Sequence, residues 1–173
     1  MEKQPHEFAE EGKRAFAAGH YAEAARAFEE ASRGFALGGD ALNAAEQDNN
    51  RSVSRLKDKQ PGPALEAAAG TDKIFEAAGD TRRQAMALGN QAAALEALKR
   101  FEEAIPLYER SAQLFDQTGE REMRSLVLKS VAAIRLKQGK LNQAGMDMLG
   151  SLGAAEKPTL LQRILKFLLR FKS

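Results

Sequence analysis

His6 and His20 are the chain's two imidazoles, the side chains best suited to moving a proton near neutral pH. Both fall near the N-terminus, in or beside a turn, where an ordinary surface role is expected. Carboxylates are plentiful and often paired, as in Glu10-Glu11, Glu29-Glu30 and Glu102-Glu103. Acid–base catalysis by such a pair needs burial that drives the two pKa values apart. Here the pairs read as solvated helix faces, with no pocket or metal partner in the pattern. The glycines are spread along the chain at helix ends and form no phosphate loop. Cysteine is absent, which removes disulfides and thiolate metal sites. The expectation is a non-enzymatic chain without cofactor or metal. Recognition is the chemistry that remains. Asn50 and Asn90 stand 40 residues apart.

That interval is the period of the whole chain. Phe35, Phe75 and Phe115 fall in step, each followed by a Gly-acid pair at Gly39-Asp40, Gly79-Asp80 and Gly119-Glu120. Ala24, Ala64, Ala104 and Ala144 keep the same spacing, as do Tyr21, Phe101 and Leu141. A repeat of this length signals stacked supersecondary units rather than one globular core. The units run over 1–40, 41–80, 81–120 and 121–156, with a distinct tail at 157–173.

Strong helix formers dominate the composition and strand-favouring residues are scarce, so the expected class is all-α. Each unit reads as two helices: about 4–18 and 21–37, 41–58 and 62–77, 81–98 and 101–117, 121–138 and 141–151. The Gly-acid pairs supply a left-handed helix stop and then an Asp or Glu cap. Pro61 and Pro63 suit a first helical turn. Pro106 lies deeper and predicts a slight bend, and Gly34, Gly70 and Gly89 read as helix-interior glycines kept for close packing. The second helices share a small column (Ala24, Ala64, Ala104, Ala144) and a bulky one (Phe28, Tyr108, Met148, but Ala68 in unit two). The first helices share Phe8, Leu88 and Leu128, with Asp48 in unit two, and a small column of Gly12, Ser52, Ala92 and Ala132. Unit two is the irregular one.

Paired helices with a small residue at the crossing, an aromatic or Leu opening the second helix, then Ala and an aromatic, resemble the tetratricopeptide repeat. The clearest stretch is Leu88-Gly89-Asn90-Gln91-Ala92 through Phe101-Glu102-Glu103-Ala104-Ile105-Pro106-Leu107-Tyr108-Glu109. Gly12 with His20-Tyr21-Ala22-Glu23-Ala24 and Phe28 matches nearly as well, and the 40-residue unit is similar to an elongated form of the repeat. The resemblance covers about 1–152 and implies a right-handed superhelical solenoid of four helix pairs, whose concave groove is lined by the first helix of each pair. It implies a scaffold or adaptor holding a protein or peptide segment in that groove. The groove-facing positions it implies are Lys13, Asn49, Asn50, Val53, Lys57, Met86, Asn90, Ala93, Leu126, Lys129, Ser130 and Lys137. Asn50 and Asn90 would contact a peptide backbone as a ladder, or else serve as solvated polarity or as an inter-repeat bond. Val53, Met86 and Leu126 would offer apolar contacts, and the lysines would favour acidic segments. The Lys/Asn/Asn/Lys/Arg clamp of some family members is not matched, because Ala9, Lys13, Met86 and Asn90 occupy its other places.

Net charge is +2, yet the tail alone carries +5 and leaves the body at −3, which argues against a nucleic-acid partner. The tail predicts a final helix from Pro158 to about Phe171. Its apolar residues, Leu161, Ile164 and Leu168 among them, sweep about 200° of arc, with Arg163, Lys166 and Arg170 opposite. Three covers for that face are open: the last unit, with the helix as a cap; an anionic membrane surface; and a partner or second copy of the chain. The N-terminus lacks a signal-peptide core and no run is long enough to span a bilayer, so the expected location is cytoplasmic, or peripheral at a membrane if the tail binds one.

Overall fold

The computed structural model describes residues 3–139 and 141–154, and these are helical with short turns. In chain order the elements are α1 (Pro5–Ala17), α2 (Tyr21–Leu37), α3 (Ala41–Lys57), α4 (Pro61–Ala68), α5 (Thr71–Ala77), α6 (Thr81–Ala97), α7 (Phe101–Gln117), α8 (Arg121–Lys137) and α9 (Leu141–Ala154). Consecutive helices pack against one another as hairpins except α4 and α5, which both pack on α3 and on α6, and α3 also meets α6 across the joint between neighbouring pairs. The result is an all-α helical-repeat solenoid. Among the described residues, no helix is long and apolar enough to cross a membrane. The tail at 157–173, with its proposed helix, lies outside the described residues.

One turn design repeats along the chain. At the end of α2 the Gly39 N–H donates to the Ala36 carbonyl at 3.0 Å and the Asp40 N–H donates to the Phe35 carbonyl at 2.9 Å. This is the Schellman arrangement, which satisfies the helix's last carbonyls and needs a left-handed residue at the turn. Gly39 supplies it with φ of 78°. The same pair of bonds closes α1, α3, α5, α6 and α7, and the residue ending each motif is also the N-cap of the next helix. Two of these left-handed positions are not glycine: Lys59 and Lys99, with φ of 59° and 61°. The expected acid caps form at Asp40 and Asp80, whose carboxylates accept from the backbone N–H of Asn43 and Arg83. Glu120 departs from the expectation. Its longer side chain makes no cap bond and instead accepts from Arg82 Nε at 2.6 Å.

The packing columns occupy the interior. Ala24, Ala64 and Ala104 are fully buried, and Phe35, Phe75 and Phe115 are 6%, 1% and 1% exposed. Gly12 is a true close approach, since a Cβ there would lie 2.7 Å from the Phe28 ring. Gly70 corrects the sequence reading. The helix expected over 62–77 is broken into α4 and α5, with Ala69 extended and Gly70 left-handed at φ of 76°. Glycine has no preference for the helical well, and the β-branched Thr71 donates its hydroxyl to the Ala68 carbonyl at 2.8 Å, which stabilises the restart. Pro106 interrupts nothing: it lies on the exposed face of α7, which runs through it unbroken.

Candidate functional site

The joint between α3 and α6 holds a recess of about 330 Å³ lined by Glu46, Asn49, Asn50, Val53, Phe75, Arg82, Arg83, Met86 and Asn90. Helical spacing explains the lining. Asn49, Asn50 and Val53 share one face of α3, and Met86 and Asn90 lie one turn apart on α6. Five of the positions implied by the family resemblance therefore meet in one place.

Their amides are partly committed. Asn49 is buried at 8% exposure and its Nδ2 donates to the Ala45 carbonyl at 3.2 Å. Its Oδ1 accepts from Asn90 Nδ2 at 3.1 Å, a bond that crosses from one helix pair to the next. Asn50 Nδ2 donates to Gln47 Oε1 at 3.3 Å. The side-chain oxygens of Asn50 and Asn90 accept no hydrogen bond among the described residues, so each can still take one from a ligand. Met86, 39% exposed, and the half-buried Val53 supply the apolar part of the wall.

Three charged residues that sequence reasoning did not place complete the recess. Arg83 Nη1 donates to Glu46 at 3.1 Å and its Nε to Asp80 at 2.6 Å, while its guanidinium lies 5.0 Å from the centre of the Phe75 ring. The hydrogen bond to Asp80, reinforced by the Asp80 and Glu46 charges, raises the pKa of Arg83. The Arg83 backbone N–H in turn holds the Asp80 carboxyl below its usual range. Arg82, held by Glu120, closes the rim. The missed signal was positional: Glu46 stands in the 40-residue column of Met86 and Leu126, already read as groove-facing.

The remaining predicted residues are placed elsewhere. Ala93 and Lys137 line a second, more open recess of about 460 Å³ with Glu96, Ala97, Lys99 and Phe101. There Glu96 meets Lys137 Nζ at 3.4 Å and accepts from the Tyr108 hydroxyl at 3.1 Å. Burial, then the Glu96 charge, push the Tyr108 pKa upward, so this hydroxyl stays protonated and acts as a donor. Leu126 and Lys129 are exposed on α8 and Ser130 is half-buried. Lys13 is paired with Glu10 at 2.7 Å, and Lys57 is exposed at the end of α3; neither lines either of these two recesses. His20 is exposed beside Glu23, and His6 stacks edge-on against Phe35 at 4.8 Å. Leu161, Arg163, Ile164, Lys166, Leu168 and Arg170 lie outside the described residues. Among the described residues, no group of three or more His, Asp or Glu could hold a metal ion.

Stacked hairpins whose first helices carry the recesses agree with the comparison to known families, where the tetratricopeptide repeat matches residues 83–144. That match runs from α6 through α7 and α8 into the start of α9. Among solved structures the repeats are similar to the crystal structure of aspartyl phosphate phosphatase F from Bacillus subtilis, with a TM-score of 0.78 and 13% sequence identity. The likeness covers 89% of this chain and 41% of that one, so the chain spans less than half the length of that neighbour. At this identity the likeness speaks for the fold alone. No curated protein matches the chain.

Proposed function

We propose that the chain is a non-enzymatic scaffold that holds an extended protein segment in the groove formed by α3, α6 and α8. The observation that carries this reading is the recess at the α3–α6 joint. Asn50 and Asn90 offer free acceptors toward peptide N–H groups there, beside the apolar surface of Val53 and Met86. An amide can serve any backbone, so affinity would come from the asparagines and selectivity from the side chains seated beside Met86, Leu126 and the groove lysines. The structural neighbour is named as a phosphatase, but the lining of both recesses offers paired ions, amides and hydrocarbon, with no hydroxyl, thiol or imidazole nucleophile.

The test is selection of a displayed library of extended peptides on the full chain, followed by titration of the winners against Asn50→Ala and Asn50→Ala/Asn90→Ala. Two lost backbone hydrogen bonds should weaken binding about tenfold or more. Thermal melting of the variants separates lost contacts from lost folding. Unchanged affinity in a folded double variant would remove the asparagines from the groove's function.

A further inference from the structure

The recess at the α3–α6 joint holds more hydrogen-bond donors than its own acceptors engage. Arg82 donates from Nε to Glu120 at 2.6 Å and leaves both Nη groups without an acceptor among the described residues. Arg83 donates from Nε to Asp80 and from Nη1 to Glu46, and leaves Nη2 in the same condition. A guanidinium presents five N–H donors in a planar fork that suits a carboxylate. Glu46 demonstrates the fit. Its carboxylate meets Arg83 Nη1 at 3.1 Å, yet its side chain stays 42% exposed in the recess wall. It is the one carboxylate of the lining, set against two guanidiniums.

We propose that this end of the recess takes an acidic side chain of the bound segment, which displaces Glu46 from Arg83, with an apolar residue two positions away. Such an occupant presupposes the groove reading above and adds its chemistry. Charge decides between an acidic and a basic side chain. A lysine would meet two guanidiniums, while Asp80 and Glu120 are already engaged through the Nε groups. A carboxylate meets the free Nη edges instead. A third carboxylate crowded on Arg83 beside Asp80 and Glu46 would be repelled by both. Exchange removes that repulsion. The incoming charge replaces the one that leaves, the balance around the arginines is unchanged, and the half-exposed Glu46 regains water.

Spacing supplies the second half of the motif. Arg82 and Arg83 lie in the first turn of α6, with Met86 one turn on and Asn90 a turn beyond that. A helical turn rises about 5.4 Å. In an extended segment alternate side chains share a face at a step of about 6.5–7 Å, close to one such turn. An acid seated on the arginines therefore places the residue two positions away over Met86 and Val53, and carries backbone N–H groups past the free oxygen of Asn90. The motif is an acid and an apolar residue with one residue between them.

The peptide library selected on the full chain tests this. Its winners should carry Asp or Glu two positions from Leu, Ile, Met or Phe. Changing that acid to its amide in a winner should weaken binding about tenfold by fluorescence polarisation, and Arg82→Gln should narrow the difference between the two forms. Glu46→Gln removes the internal competitor. It should tighten the acidic form several-fold, beyond any gain from Glu23→Gln, the same charge change on the exposed face of α2. A gain in affinity is a result that misfolding does not produce. Equal affinity of the acid and amide forms, or winners that lack the spacing, would overturn the acidic site and leave the groove reading intact. A gain in Glu46→Gln no larger than in Glu23→Gln would overturn the exchange. If the library yields no binder, the groove and its acidic site fall together.

Discussion

Units two and three perform the same architectural task with different materials. Unit three, α6 with α7, buries Leu88, Leu95, Ile105, Tyr108, Leu114 and Phe115 in one continuous cluster that reaches into α8. Unit two, α3 with α4 and α5, has a three-residue buried cluster of Ala45, Phe75 and Ala87, the last borrowed from α6. Polar side chains make up the difference, since Gln47, Asn49, Ser52, Ser54, Thr71 and Asp72 are all buried. Burial of a polar group contributes little net stability even when it is hydrogen-bonded, whereas apolar area contributes in proportion to its extent. The column shared by Phe8, Leu88 and Leu128 holds Asp48 in unit two. Burial raises the Asp48 pKa against the opposing charge of Arg51, which marks a carboxylate in a place suited to a hydrocarbon. Unit three is the rigid support. Unit two carries most of the recess and leans on its neighbour.

In a repeat array each unit is stabilised mainly by its nearest neighbours, so the contrast should be visible when one phenylalanine is removed from each. Phe115→Ala and Phe75→Ala each empty a site 1% exposed, and each should cost about 3–5 kcal/mol. The consequences should differ. Phe115→Ala removes the centre of the large cluster and should lower a single global denaturant transition. Phe75→Ala should open α3–α5 ahead of α6–α8, seen as faster amide exchange confined to residues 41–77. Loss of protection in both units together in the Phe75 variant would show that the boundary between them is not an energetic one.

Asp80 sits at that boundary and offers a smaller, pH-dependent probe. It caps α6 through the Arg83 N–H and pairs with the same Arg83 that reaches back to Glu46. Asp80→Ala should cost about 1 kcal/mol at neutral pH. The sign of the pH effect follows from the lowered pKa, caused first by the Arg83 N–H bond. The contribution is present above the ordinary carboxylate pKa and is lost as pH falls through the lowered value. Melts of wild type and variant should therefore converge in acid. A constant gap down to low pH would assign the effect to packing instead of the charged cap.

The sequence made the period, the helix pairs and the main columns legible because each rests on side-chain size at fixed spacing. Gly39, Gly79 and Gly119 announced their turns in the same way. Gly70 was misread because an interior glycine is compatible with both a close approach and a break, and what decides is local: the Thr71 hydroxyl bonding to Ala68. Within the recess, Asn50, Asn90 and Met86 were legible as groove positions through the family resemblance. Arg83 was not. Its placement depends on reaching Glu46 from 37 residues away, a pairing that no local pattern encodes.

The smallest expected effect isolates the turns from the cores. Lys59 closes α3 in unit two and Lys99 closes α6 in unit three, each in a left-handed conformation that costs a side-chain-bearing residue about 1–2 kcal/mol. Glycine removes that cost but surrenders about 0.5–1 kcal/mol of chain entropy, so Lys59→Gly and Lys99→Gly should each stabilise by roughly 0.5 kcal/mol. Equal gains would show that the turn is one device used twice and that the units differ only in their interiors. Gly70→Ala runs the other way. Nothing lies within 4 Å of where its Cβ would stand, so the substitution meets backbone strain at φ of 76° and no steric barrier. If α4 and α5 are held apart by their surroundings, the variant should lose about 1 kcal/mol. If it loses nothing and gains helical signal, the two segments have fused into a continuous helix like α2 and α7. The break in unit two would then belong to one glycine rather than to the joint around it.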